Sequence, residues 1–363
     1  MGIEKKYAPQ IDSLRFFAML SIFCNHCVFL KEDEISLTFF EQYFHYGGIG
    51  VEFFILLSGF MAGYTFKPSI PPKEYIKKRA IRLFPVHWFC LLFFIPFAFL
   101  SLNGIESKIV SLLSSILLLQ SVTDYTWGIF NSASWTISTL WLMYIITPFL
   151  MRKLKNVHVY VLASILLLSV IIGFIANFYY YEENVWFFYI SPFYRIVTYM
   201  QGLLLACIYP KVSMSFEKLS FISKSLFELV VIIAFILELL VVSPYSHYGY
   251  NYTLIMLLII AIFFSGGGIL TNVLSNKFLV RMSKISFSFY LVHYWVCTTF
   301  TTAYMKLLNL LPTVENMYYI FIADLIITIV LAVLVYEFIE KKFTNYLIKK
   351  KKFTILKNTA YIC

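Results

Sequence analysis

Charge is what this chain has least of: Asp, Glu, Lys and Arg together make only 13% of its 363 residues, against about 25% in a soluble domain. Hydrophobic side chains reach 60%, aromatics 20%, and the mean hydropathy is +0.79, so a water-soluble globule is excluded. A cleavable leader is missing from the pattern as well. The first apolar run follows MGIEKKYAPQ directly, is too long for a signal core and has no small-residue cleavage site. The six cysteines, Cys24, Cys27, Cys90, Cys207, Cys297 and Cys363, give neither a disulfide framework nor a metal-binding set of pairs. Cys24 and Cys27 are separated by two residues, but no second pair accompanies them. The cysteines read as small buried hydrophobes, and no metal is expected. No internal repeat and no low-complexity linker breaks the chain.

What the sequence has in quantity is apolar stretches of membrane length. The hydrocarbon core of a bilayer, about 30 Å thick, takes about 20 helical residues. Stretches near 11–30, 49–67, 83–102, 134–151, 157–178, 190–209, 225–243, 252–272, 285–305 and 317–340 meet that length. The expectation is an all-α, polytopic integral membrane protein of about ten transmembrane helices over residues 1–345. A basic tail, 346–363, would lie against an anionic inner leaflet. Of the 29 Lys and Arg, 24 fall at the N-terminus, in 67–82, 152–155, 211–224 and 277–284, or after 340. Basic loops face the cytosol, so both termini are expected there, and the net charge of +10 reports topology rather than a nucleic-acid partner. Residues 109–119, IVSLLSSILLL, are too short to cross and are expected to lie at the interface or to re-enter.

The first stretch, IDSLRFFAMLSIFCNHCVFL, carries Asp12, Arg15 and His26. At about 100° per residue, the eleven steps from Arg15 to His26 return to within about 20° of the same face, and Asp12 falls about 40° from it. Such groups cost about 2.5–3.5 kcal/mol each at mid-helix, so they line protein interiors or functional paths. Glu52 sits about one turn into the outer end of the second stretch, and His26 lies about 22 Å up the first. A His and a carboxylate at matching depth suit a general-base pair, in which the carboxylate fixes the tautomer and stabilises the imidazolium. A structural hydrogen bond tying two helices is the alternative, and the residues alone leave both open. Arg79 and Arg82, three residues apart, project to one side of the helix entering the third stretch and offer a bidentate phosphate receptor. An ordinary positive-inside loop explains them too. Pro85, His87 and Trp88 read as the point where that chain enters the membrane.

Together these blocks resemble the acyltransferase family 3 integral-membrane O-acyltransferases. IDSLRFFAMLSIFCNH is similar to the family's first helix with its arginine and histidine, and GGIGVEFFILLSGFMAGY to the glycine-acidic-aromatic block of its second. RAIRLFP resembles its R-x-x-R-x-x-P element, SWTISTLWLMYIITP its tryptophan-led block, and FYRIVTYMQGLLLA a later Arg…Gly block. KISFSFYLVHYWV resembles its Tyr-Leu-x-His segment, and YEFIEKKF its closing glutamate. One departure is clear: many members carry glutamates where this chain has Leu140 and Trp141.

The resemblance implies transfer of an acyl group, usually acetyl, from cytosolic acetyl-CoA or another acyl-CoA to a hydroxyl of an extracytoplasmic or lipid-linked glycan, at the plasma or inner membrane. Arg15 and His26 become the family's essential pair, with Glu52 assisting His26, and Arg79 and Arg82 the motif near the donor. His293 counts as about 10 Å nearer the cytosol than His26 and is expected in the donor channel or in a structural role, not as a partner of His26. Asp324 and Glu238 read as structural carboxylates. The bilayer, the acyl-CoA and the saccharide acceptor are the expected partners, a homo-oligomer being compatible with the sequence. The alternative is a transporter or flippase for a lipid-linked sugar or small solute, which predicts paired half-repeats and broken helices that the sequence does not show.

Overall fold

The computed structural model describes residues 8–27, 47–101, 104–180, 183–241, 250–308 and 314–345, and among them every regular element is a helix. In order these are α1 (Pro9–Cys27), α2 (Gly47–Tyr64), α3 (Pro72–Ser101), α4 (Ile105–Ile116), α5 (Trp135–Leu154), α6 (Val159–Tyr180) and α7 (Pro192–Glu217). They continue as α8 (Phe221–Val241), α9 (Thr253–Ser265), α10 (Ile269–Leu274), α11 (Lys277–Ser283), α12 (Ser286–Trp295), α13 (Thr301–Leu308) and α14 (Val314–Val335). Each of the ten apolar stretches coincides with one or more of these helices. Among the described residues, five segments are long and apolar enough to cross a membrane: Gly47–Tyr64, Pro72–Pro96, Ser132–Leu154, Val159–Tyr180 and Tyr318–Asn345. The remainder are broken or carry charge. Gly266 and Gly267, with φ of +67° and +95°, end α9 in a conformation that only glycine adopts readily. The Glu228 carboxylate then accepts the amides of Gly268, Leu270 and Thr271 and so caps α10.

Helix α2 is the axle of the bundle. Gly59 meets the Tyr199 carbonyl, and Gly202 meets the Leu56 carbonyl, so that a methyl at either position would collide with backbone. Reciprocal glycines let the axes of α2 and α7 close on each other, which is how helices associate where lipid tails compete for apolar surface. Gly50 does the same against Ala18 of α1. Helix α6 turns the other way, leaving Tyr160, Ile165, Leu168, Ile172 and Ile175 exposed along one apolar wall.

One expectation changes here. Helix α3 does not begin at the third apolar stretch but runs unbroken from Pro72, with Pro85 and Pro96 inside it. His87 lies about 22 Å along that helix from Pro72. It is buried and bonds the Ser115 carbonyl at 2.7 Å, while Trp88 donates to that of Ile116 at 2.8 Å. These contacts satisfy the end of α4, which stops halfway along α3. Leu118, at φ 55°, turns the chain after α4, the segment expected to lie at the interface or to re-enter. The tail 346–363 lies outside the described residues.

Candidate active site

Among the described residues, basic side chains of 67–82, 152–155 and 277–284 and Lys341 gather at one end of the bundle, called the basic end below. A cavity of about 890 Å³ opens there between α1, α3, α12 and the turn after α14. Arg15, Lys77, Lys78, Arg82, Lys284 and Lys341 face it, together with Asp12, Glu74 and Glu340. Arg15 is held in place by Asp12 at 3.0 Å, one helical turn earlier. Glu340 accepts from Ser288 at 2.8 Å, which fixes the turn Tyr336–Glu340 against α12. That turn is π-helical, and its extra residue widens the end of α14.

Arg79 does not join Arg82 in the cavity. Its guanidinium stacks over the rings of Tyr144, at 4.6 Å, and Tyr75, at 5.2 Å. Three residues of helix separate the two by about 60°, enough to send one to the cavity and the other into the bundle. Arg82 is accompanied in the cavity by Arg15, Lys284 and Lys341 and not by Arg79.

From this cavity α1 and α12 lead inward to a pair of histidines. His293 Nε2 lies 3.3 Å from His26 Nδ1, and Tyr294 packs edge-on against His26 at 5.2 Å. The depth expected for His293 is thus corrected: it is the direct neighbour of His26. Counting residues from the last basic side chain ignores how far one helix is offset from the next, and here that offset brings the two rings level. The remaining hydrogen bonds assign the tautomers. His293 Nδ1 faces the Tyr290 carbonyl at 2.6 Å and His26 Nδ1 the Ile22 carbonyl at 3.0 Å. A carbonyl can only accept, so each neutral ring carries its proton on Nδ1. His293 Nε2 is then an acceptor for His26 Nδ1–H, and the lone pair of His26 is on Nε2.

Glu52 is not the partner of His26. Its carboxylate forms an ion pair with Arg195 of α7 and accepts from Thr253 at 3.4 Å, with Thr198 as a further hydrogen-bond partner. Both charged side chains are buried, and Tyr189 and Trp135 cover the guanidinium at 4.8 and 5.8 Å. Sequence reasoning placed Arg195 in a span without giving it a partner. The signal was partial: a buried guanidinium requires a buried acid, and Glu52, Glu238 and Asp324 were all on offer.

One residue beyond His26, Cys27 Sγ lies 2.9 Å from Cys297 Sγ. Cys297 belongs to a second π-turn, Val296–Phe300, that follows α12 directly. Asp324 of α14 accepts from the Thr301 hydroxyl at 2.9 and 2.8 Å and anchors the far side of that turn. The ligand atoms of Cys27, Cys297 and Asp324 fall within 4.8 Å of one another, the one set of this kind among the described residues.

A family model described as an acyltransferase domain matches residues 9–337. The chain belongs to acyltransferase family 3. In this membrane acyltransferase the match includes the histidine pair and most of the basic cavity, whose residues Glu340, Lys341, Thr344 and Asn345 lie beyond it. No curated protein and no solved structure matches the chain. The family membership establishes acyl transfer in general and leaves donor, acyl group and acceptor to be argued from the site.

Proposed function

We propose that this acyltransferase is an O-acetyltransferase that moves an acetyl group from cytosolic acetyl-CoA to a hydroxyl of an extracytoplasmic or lipid-linked glycan, in the plasma or inner membrane. The observation that carries the proposal is that one pair of helices, α1 and α12, bears both the cationic cavity and, farther along, the His26–His293 pair. A coenzyme A donor needs that arrangement: anionic phosphates at one end, a thioester reached by an extended arm at the other. Arg15 and Arg82 with Lys284 and Lys341 hold the phosphates, guanidiniums binding phosphate oxygens in a fork. From Phe287 at the cavity wall to His293 is about 9 Å along α12, within the reach of such an arm. Basic residues of 67–82 and 277–284 meet at this end, and by the positive-inside rule we take it as the cytosolic one.

The chemistry runs through His26 Nε2. In direct transfer it takes the proton of the acceptor hydroxyl as the oxygen attacks the thioester carbonyl, and the coenzyme A thiolate leaves and is protonated. In a relay, Nε2 itself attacks the carbonyl and expels the coenzyme A thiolate, which is protonated; the acceptor oxygen then attacks the acyl-histidine, and the released Nε2 takes up the hydroxyl proton. Either way positive charge develops on the His26 ring, and its Nδ1–H is shared between the Ile22 carbonyl and His293 Nε2, both of which stabilise it. Glu52 and Arg195 support the site by locking α2 to α7. Acyl-CoA is the only co-substrate this requires, and no metal takes part in the reading.

The test uses purified protein in nanodiscs with radiolabelled acetyl-CoA, comparing wild type, His26→Ala and Arg82→Ala. Slow thioester loss by wild type, none by His26→Ala, and weakened donor binding by Arg82→Ala are expected, and label retained on the protein selects the relay. If no protein binds or turns over an acyl-CoA, the donor assignment is overturned.

A further inference from the structure

A second cavity, of about 970 Å³, opens at the basic end between α2, α5, α6 and α7, away from the histidines. Lys67, Lys155, Lys211 and His158 rim it, and no Asp or Glu is among its lining residues. The lysines are exposed, whereas the floor is apolar and buried, built from Phe66, Met151, Leu162 and Ala206. Lys155 is drawn over the cavity by the Phe66 ring, 5.7 Å below its ammonium. The wall at Val159 and Leu162 belongs to α6, and it continues into the exposed apolar face of that helix.

From this geometry we infer that the cavity is a binding site for an anionic phospholipid. Three ammonium groups uncompensated by carboxylates repel one another, and a phosphodiester is the charge that relieves them. The apolar floor excludes a fully hydrated ion as the fitting occupant, whereas a lipid glycerol backbone covers it. Acyl tails then lie along Ile165, Leu168 and Ile172 of α6. Basic cavities between transmembrane helices on the cytosolic side take such headgroups, each lysine adding to the attraction. The inference depends on the chain spanning a bilayer and not on which acyl group it transfers.

The experiment is native mass spectrometry of the full chain, loaded with dioleoyl-phosphatidylglycerol or with dioleoyl-phosphatidylcholine of identical tails. Wild type is expected to retain phosphatidylglycerol under activation that strips phosphatidylcholine. The triple variant Lys67→Gln, Lys155→Gln, Lys211→Gln is expected to bind phosphatidylglycerol about a hundredfold more weakly. A Lys67→Arg, Lys155→Arg, Lys211→Arg protein should keep it, which separates charge from folding. Equal retention of both lipids by wild type, or undiminished phosphatidylglycerol on the Gln variant, overturns the site. In lipid-stripped protein, protection of Lys155 from amine-reactive labelling by millimolar inorganic phosphate alone would make the ligand a soluble phosphate and overturn the lipid assignment.

Discussion

The two basic cavities are alike in size and position and differ in what accompanies their charge. The cavity at α1 and α12 mixes arginine with lysine, includes three carboxylates, and is continuous through two helices with the His26–His293 pair. The cavity at α6 carries ammonium groups only, has no acid, and has an apolar floor. The two linings carry the same formal net charge, six cations against three acids in the first and three lysines without acids in the second. Acids beside the arginines hold them in fixed poses, as Asp12 does for Arg15, whereas lysines without acids present a less directional field. A count of basic loops treats the two as one topology signal; their chemistry separates them.

The largest effect that would sharpen the contrast is loss of His26, the base in the proposed reaction. His26→Ala is expected to lower acetyl transfer about 10²–10⁴-fold, measured as initial rate in nanodiscs, while Lys155→Gln leaves that rate within about twofold. Comparable losses from the two would erase the distinction. Next comes the buried ion pair, which tests support apart from chemistry. Arg195→Leu leaves Glu52 buried and unpaired and is expected to cost about 3–5 kcal/mol in stability, read from unfolding in detergent. Turnover per folded molecule should then fall far less than in His26→Ala, and a fall as deep would return Glu52 to the proton-transfer step. Removing a phosphate ligand comes third: Arg82→Ala is expected to raise the KM for acetyl-CoA about 10- to 100-fold with a smaller change in kcat. The smallest effect concerns geometry at equal charge. Arg82→Lys should recover only part of that loss because an ammonium lacks the planar fork, whereas Lys155→Arg should retain phosphatidylglycerol fully. Identical behaviour of the two swaps would break the comparison at its chemical root.

Much of the architecture was legible because hydrophobicity and length are local properties. All ten apolar stretches are helical, and the Asp12–Arg15 side of α1 faces the cavity as its periodicity required. Relations between helices were not legible to the same degree. Placing His293 beside His26 needs the offset of α12 against α1, which no count along either chain contains. Giving Glu52 to Arg195 rather than to His26 needs the close α2–α7 crossing permitted by Gly59 and Gly202. Arg79 and Arg82 diverge because Tyr75 and Tyr144 compete for one of them. For His293, Glu52 and the Tyr144 contact of Arg79 the deciding neighbour is distant in sequence.

The π-turn at Val296–Phe300 bears on how this site tolerates change. One residue inserted into an α-helix advances the phase of everything after it by about 100°. The face that presents His293 and the face that meets Asp324 through Thr301 are therefore set independently, although one continuous run of helical backbone carries both. Removing a single residue from this turn would not shorten the helix by any important amount. It would rotate the Thr301 hydroxyl away from Asp324, or the histidine away from His26, and the two could not be kept in phase together.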